Sequence, residues 1–264
     1  MEPTVTLTPD QVAFYQENGY LSIPELMPAD EVERIREIYD RLFAARVGRE
    51  TGDQFDLAGT DEEGVEAKLP QILGPSRFAP ELLEGQYRAN LAHVVKQLLG
   101  PEGQVGGDHM IFKPARIGAE TPWHQDQAYW DPGYDYNSLS VWIPLQEATI
   151  ENGCMWFVPG SHRLDIHTHH SIGHDPRVHG LEVEGADVSK AVACPLPPGG
   201  ATFHHCRTLH YTGPNRSDID RRAYIIGAGV PATKRVVPYD FYWNRVKQTA
   251  REARAAAVRG RMEG

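Results

Sequence analysis

The stretch Thr121-Pro-Trp-His-Gln-Asp-Gln-Ala-Tyr-Trp130 places a histidine and an aspartate two residues apart. In a β-strand, alternate side chains point to the same face, so His124 and Asp126 would direct an imidazole and a carboxylate toward one small cation. Two ligands are too few to define a metal site, and His and Asp are also common at strand ends and turns. The pair therefore has meaning only if the rest of the chain supplies a further ligand.

A second polar stretch, residues 199–223, offers three candidates for that ligand, His204, His205 and His210. Two histidines and one carboxylate on one face of a metal leave three coordination positions open, the arrangement of mononuclear iron oxygenases. The spacing alone does not choose among the three histidines. The same stretch also contains Arg216, Arg221 and Arg222, and an arginine fork could meet the distal carboxylate of a dicarboxylate cosubstrate.

Composition limits the classes of function. The 264 residues are 41% hydrophobic and 23% charged, ordinary values for a globular protein with a sizeable core. The formal charge of -10 argues against a nucleic-acid partner. Three cysteines without a C-x-x-C pair disfavour a disulfide framework. The chain has no apolar run long enough to cross a membrane and no signal-like start, so we expect a cytoplasmic protein without a membrane partner.

The N-terminal part reads as helical. Thr8 and Pro9 indicate a helix start, and Asn18-Gly19 its end, before a short strand over 20–23. Further helices are predicted over 28–46 and within 81–100, while the Gly- and acid-rich residues 47–68 suggest a surface loop.

From residue 101 the sequence pattern is typical of β-strands. Short apolar segments separated by Gly and Pro turns are typical of a jelly-roll or barrel; they are 109–114, 138–145, 154–159, 201–204 and 222–230. Lys113 could reach the pocket, but we expect an exposed strand-end lysine. We predict an α+β, mainly β, chain with a double-stranded β-helix (jelly-roll, cupin-like) core and flanking N- and C-terminal helices. The expected single domain spans 1–264, with a mainly helical flank (1–100), the core (101–235) and a C-terminal helix (236–264).

Taken together, these motifs resemble the phytanoyl-CoA dioxygenase superfamily of Fe(II)/2-oxoglutarate-dependent oxygenases, which includes ectoine hydroxylase. The N-terminal Phe14-x4-Gly19-Tyr-Leu also fits. The matching pieces occur in the family's order: Trp123-His-Gln-Asp126, Val141-Trp-Ile-Pro-Leu145, Asn152-Gly153 followed by Val158-Pro-Gly-Ser-His162, and His210-x4-Asn215-x5-Arg221. One departure is Gly199-Gly-Ala201, where many members have Gly-Asp, a change expected to affect only a turn.

The resemblance implies roles for individual residues. It selects His210 as the third metal ligand beside His124 and Asp126, and Arg221 as the 2-oxoglutarate arginine. Thr212 stands where the family places a hydroxyl on the same carboxylate, and two aromatic positions near the cosubstrate or substrate match Trp142 and Trp130. His205 is expected to pack or to hydrogen-bond behind the site, and Arg222 to point to the opposite face from Arg221.

The expected enzyme is therefore an Fe(II)/2-oxoglutarate-dependent dioxygenase that hydroxylates, or otherwise oxidises, an unactivated C–H bond with O2 and releases succinate and CO2. Halogenating relatives replace the carboxylate ligand, so Asp126 favours oxygenation. The expected substrate is a small organic acid, amine or natural-product intermediate, with a CoA ester also open, and the chain a monomer or homodimer. The His-rich residues 161–179 could hold a second metal but are interpreted as a lid, and substrate determinants are expected there and in the 47–80 loop. The alternatives are a cupin-like metalloprotein that does not use 2-oxoglutarate and a non-catalytic binding module.

Overall fold

The structure, a computed structural model, describes residues 1–262, with side-chain surroundings described through residue 260. The helices are α1 Pro9–Asn18, α2 Ala29–Ala44, α3 Gln86–Leu99, α4 Tyr242–Arg245 and α5 Ala250–Met262. The strands are β1 Tyr20–Ile23, β2 Gln54–Asp56, β3 Pro70–Leu73, β4 Gln104–Lys113, β5 Thr121–His124, β6 Tyr134–Asp135, β7 Ser138–Pro144, β8 Met155–Phe157, β9 His169–Ser171, β10 Leu181–Val183, β11 Val192–Cys194, β12 Ala201–His205, β13 His210–Thr212, β14 Arg221–Gly229 and β15 Thr233–Lys234. The last two residues of the predicted C-terminal helix lie outside the described residues.

Two antiparallel sheets form the core. The larger has seven strands in the order β1-β12-β7-β14-β4-β3-β2, and the smaller has four in the order β11-β8-β13-β5. Apolar side chains fill the space between them, among them Phe157 of the smaller sheet and Trp142 and Ile225 of the larger. The predicted fold, α+β and mainly β with a jelly-roll core, is confirmed.

The N-terminal helices cover the outer face of the larger sheet. Thr8 caps α1 in a capping box with Gln11, and Gly19 ends the helix in a left-handed conformation, as its sequence predicts. One face of α2 is buried. Its Ile35 and Tyr39 are fully buried in a cluster with apolar residues of the larger sheet. Within residues 1–262, no helix combines the length and the apolar content that a membrane crossing requires.

The prediction of a surface loop over 47–68 is wrong for residues 54–57, while residues 58–68 lie at the surface as predicted. Residues 54–57 are buried, and β2 pairs with β3 at the edge of the larger sheet. The reason is hydrogen bonding rather than hydrophobicity: the Asp56 carboxylate accepts the backbone N–H groups of Ala58, Lys68 and Leu69. A polar sequence can thus be buried when its carboxylate satisfies the backbone of a turn.

The predicted C-terminal helix is real but shorter, because α5 begins at Ala250. Before it, Trp243 is buried and donates its indole N–H to the Ala128 carbonyl. The helix itself is held to the 47–68 region by Asp61, whose two carboxylate oxygens accept from Arg49 and Arg254. The chain end is therefore docked on the core.

We expect Asp61→Asn to lower the free energy of unfolding by about 3 kcal/mol, because it leaves two partly buried guanidinium groups without their carboxylate. Asparagine keeps the shape and tolerates the left-handed backbone of this position (φ 60°). Chemical denaturation measures the change. The matched control is Asp218→Asn, since Asp218 is 78% exposed in its pair with Arg116; a loss no larger than the control's would contradict this role for Asp61.

Candidate active site

His124 and His210 face each other across two neighbouring strands. His124 is the last residue of β5 and pairs with His210, the first residue of β13. Asp126 lies just beyond the strand, at the start of a 3-10 turn over 126–129, so its expected placement on the strand itself is wrong. Gln125 between them is extended (φ −122°, ψ 129°), which preserves the alternation and turns both side chains toward the same cavity.

The two imidazoles present lone pairs toward one carboxylate oxygen. His124 Nδ1 lies 2.7 Å from the Pro122 carbonyl oxygen, and His210 Nδ1 lies 2.9 Å from that of Thr208. A backbone acceptor at Nδ1 places the proton there and leaves Nε2 free to ligate. The two Nε2 atoms are 3.7 and 3.4 Å from Asp126 Oδ1, and the three groups offer ligand atoms within 4.8 Å of one another.

The protonation states of His124 and Asp126 also favour binding of a cation. Burial, more than any other cause, lowers the pKa of His124 to about 3, so its ring is neutral near pH 7. Burial alone would raise the pKa of Asp126, but the imidazoles of His210 and His204 outweigh it and hold that pKa well below its usual range. A neutral imidazole beside an ionised carboxylate is the state that binds a divalent metal.

The second oxygen of Asp126 is fixed by two residues of the larger sheet. Ser140 donates its hydroxyl to Asp126 Oδ2 at 2.6 Å, and His204 Nε2 lies 3.4 Å from the same oxygen. His204 is only 3% exposed. Asp126 can therefore direct Oδ1 toward a metal while Oδ2 is held from behind. The sequence names His204 only as a candidate ligand; it does not predict this contact or that of Ser140.

We expect His204→Leu to weaken Fe(II) binding about 10- to 100-fold, because Asp126 loses a donor that orients it. His204→Gln is the matched control, since its amide nitrogen reaches a position similar to Nε2 and should restore most of the affinity. Anaerobic Fe(II) titration of both proteins measures this. Equal weakening in the two variants would show that the ring's shape, and not its hydrogen bond, matters.

Arg221 is buried in the wall of the same cavity without a carboxylate. It is 1% exposed, and within the described part of the chain its Nε and Nη1 atoms have no hydrogen-bond partner. Burial is the main cause that lowers its pKa to about 10, so it stays charged near pH 7. Unpaired buried guanidinium donors are costly unless a ligand meets them. A carboxylate ligand would meet these donors and neutralise the charge.

Lys113 lies beside Arg221, and the expectation that it is exposed is wrong. It is fully buried, not exposed, and its Nζ donates to the carbonyl oxygens of Thr212 and Gly213. Burial first, and then the charge of Arg221, hold its pKa well below the usual range. Arg222 points the other way, as predicted, and its Nε donates to Asp40 at 2.6 Å.

The remaining predicted cofactor residues also line the cavity. Thr212 lies on β13 and donates to the Thr121 hydroxyl at 3.0 Å. Trp142 has its ring centroid 5.5 Å from the Arg221 guanidinium carbon, a cation–π contact. Trp130 is half-buried in the cavity wall and packs edge-on against Tyr136. His205, by contrast, accepts from the backbone N–H of Arg207 and packs near His162.

The cavity has a volume of about 590 Å³ and reaches well beyond the triad. The two regions expected to hold substrate determinants, 47–80 and 161–179, supply part of it, including Leu57, Gln71 and His179. Its C-terminal wall was not expected from the sequence and comprises Asn244, Lys247, Arg251 and Glu252. No periodic or motif signal connects this tail to the active site.

The His-rich residues 161–179 support the triad from outside. β9 and β10 form a small two-stranded sheet, and His169 is fully buried. Its Nε2 accepts the backbone N–H of Gln125, whose side chain also accepts from the backbone of His167. Among the described residues, His124, Asp126 and His210 form the one cluster of three groups arranged for a metal.

Comparison with known proteins gives the family. The phytanoyl-CoA dioxygenase (PhyH) family model matches residues 15–223. The chain belongs to the phytanoyl-CoA dioxygenase family. The resemblance drawn from the sequence motifs is thereby confirmed.

Several family relatives match over most of their length. The chain is 32% identical to phytanoyl-CoA dioxygenase domain-containing protein 1 of Mus musculus, over 83% of this chain and 89% of the relative. It is 28% identical to a probable alpha-ketoglutarate-dependent hypophosphite dioxygenase of Stutzerimonas stutzeri, over 83% and 77%. Among solved structures, EvdO2 from Micromonospora carbonacea var. aurantiaca has a TM-score of 0.79 and 38% identity, over 92% and 99%. EvdO2 is also known in complex with 2-oxoglutarate.

Proposed function

We propose that His124, Asp126 and His210 bind Fe(II), and that Arg221 and Thr212 bind the far carboxylate of 2-oxoglutarate. The chain is an Fe(II)/2-oxoglutarate-dependent dioxygenase, as its sequence predicts, with iron, 2-oxoglutarate and O2 as cofactor and cosubstrates. Its substrate is a small molecule. The reaction converts R–H, 2-oxoglutarate and O2 into R–OH, succinate and CO2.

One observation carries the residue assignment: a buried, unpaired arginine shares a cavity with the triad. Arg221 has two donors without partners, while the triad lines the same space. A metalloprotein of the cupin type that does not use 2-oxoglutarate would have no need for this charge. A non-catalytic binding module would have no need for the oriented carboxylate of Asp126. Neither alternative accounts for the free energy that it costs to bury the charges of Arg221 and Asp126.

Bound iron supplies the activation of O2, coupled to the decarboxylation of 2-oxoglutarate. The protein's residues position and isolate that chemistry. His124 and His210 hold Nε2 toward the metal because backbone carbonyls fix their Nδ1 protons. Ser140 and His204 keep Asp126 in place, and Arg221 with Thr212 orients the cosubstrate. Trp142 packs against the guanidinium and excludes water from it.

For the substrate we propose a reaction type and a range of chemical classes. The presence of Asp126 favours hydroxylation or a related oxidation, because a carboxylate occupies the position that halogenating members leave open. A cavity of about 590 Å³ suits an organic acid, an amine or a natural-product intermediate. A CoA ester would have to extend out of this cavity.

Anaerobic calorimetry tests the proposal without a known substrate. We expect 2-oxoglutarate to bind only after Fe(II) has been added, with one site per chain for each. Succinate, which lacks the keto group, is the control ligand and should bind much more weakly. Binding of 2-oxoglutarate that is equally tight without metal would contradict the assignment.

A further inference from the structure

Two cations line the cavity apart from Arg221. Lys247 precedes α5 and Arg251 lies in its first turn, and both border the cavity that contains the triad. The Lys247 Nζ lies 4.9 Å from the centroid of the Tyr129 ring, and the His124 ring lies 6.0 Å from the same centroid. The Tyr129 ring thus contacts both the Lys247 ammonium and His124, a proposed metal ligand.

Neither cation has a carboxylate partner among the described residues. Lys247 donates to the His179 carbonyl oxygen at 2.9 Å, and the Arg251 guanidinium lies over the ring of Phe55. Arg251 Nε is buried, and no hydrogen-bond partner for it is found in the described part of the chain. The carboxylate of Glu252 also borders the cavity, and its Oε2 accepts the backbone N–H and the hydroxyl of Thr249 at the start of α5.

Two positive charges act on this wall of the cavity although the chain as a whole is acidic. Burial, followed by the charges of Lys247 and Arg251, holds the pKa of His179 well below its usual range. Burial lowers the pKa of Lys247 to about 8, so the ammonium is mostly charged at pH 7. Asp53, Glu252 and Arg254 are the other charged groups that act on Arg251. The N-terminal end of α5 adds a dipole that also favours negative charge.

We propose that the substrate carries an anionic oxygen group, a carboxylate or a phosphate ester, and that Lys247 and Arg251 bind it. This inference rests on the proposed function, because it concerns the substrate of the same site. Two cations on separate side chains can hold an anion away from the iron, where it orients the carbon to be oxidised. The Asp61 contacts with Arg49 and Arg254 keep this wall in place.

The test uses simple probes on the wild-type protein loaded anaerobically with Fe(II) and 2-oxoglutarate. We expect benzoate and phenyl phosphate to bind at least about tenfold more tightly than uncharged benzamide, as measured by calorimetry at pH 7. Lys247→Met and Arg251→Met should each weaken anion binding about tenfold and leave benzamide unchanged. Arg245→Met is the matched control, because Arg245 is 66% exposed and pairs with Asp240.

Each contrary outcome has a distinct meaning. Equal binding of benzoate and benzamide, no binding of either anion, or unchanged anion binding in both variants would overturn the anion site. It would also be overturned if Lys247→Met or Arg251→Met weakened 2-oxoglutarate as strongly as a change at Arg221, since the cations would then serve the cosubstrate. Failure of the wild-type protein to bind 2-oxoglutarate with Fe(II) would instead reject the proposed function. Melting temperatures of all variants verify folding.

Discussion

Replacing Arg221 by methionine is expected to raise the Kd for 2-oxoglutarate at least about 100-fold. The arginine is almost fully buried with two unpartnered donors, so a bound carboxylate would form a desolvated charge pair with it. Removing one member of such a pair costs about 2–5 kcal/mol. Anaerobic calorimetry with Fe(II) present measures the effect, and Fe(II) binding itself should persist.

Arg222→Met is the matched control for this change. The Arg222 guanidinium points away from Arg221 and pairs with Asp40, so 2-oxoglutarate affinity should remain at the wild-type value. The two variants should also differ in stability. Without cosubstrate, Arg221→Met should melt no lower than wild type, because it removes an uncompensated buried charge. Unchanged 2-oxoglutarate binding in Arg221→Met would contradict the assigned role.

Asp126→Ala and His210→Ala are expected to abolish Fe(II) binding and reduce turnover more than about 1,000-fold, because the reaction depends on the metal. The Nε2 atoms of His124 and His210, the two proposed imidazole ligands, both lie within 3.7 Å of Asp126 Oδ1. Iron content after anaerobic loading and desalting measures occupancy, and succinate formation measures turnover.

His205→Ala controls for the loss of a histidine from the same region. Its ring packs near His162 and accepts from the Arg207 backbone, and it does not line the cavity. Iron content should therefore stay close to wild type in that variant. Coupled turnover retained by His210→Ala would mean that another histidine, with His204 the nearest to Asp126, supplies the third ligand.

The sequence predicts the core strands well because apolar alternation and Gly/Pro turns mark them directly. Strands β7, β12 and β14 all lie within or near the predicted segments. It also names the triad residues and Arg221, but only family resemblance selects His210 from three histidines. The geometry then brings the selected residues into one cavity.

The failures have a common physical cause: tertiary contacts that leave no local pattern. Burial of Lys113 depends on carbonyl oxygens about 100 residues away in the chain, at Thr212 and Gly213. The contact between His204 and Asp126 joins β12 of the larger sheet to the turn after β5, and the polar segment at Asp56 is buried because it satisfies backbone donors. The same holds for Lys247 and Arg251, whose place in the cavity wall depends on how the chain end docks.

Release of labelled CO2 from 1-carbon-labelled 2-oxoglutarate, screened under air over a panel of small carboxylates and phosphate esters, tests the central claim most directly. The proposed function predicts release that requires Fe(II) and O2, is matched by succinate, and rises with at least one panel member. Release should be absent in Asp126→Ala and Arg221→Met. Release that continues in either variant at the wild-type rate, or that never exceeds the metal-free background in the wild-type protein, would contradict it.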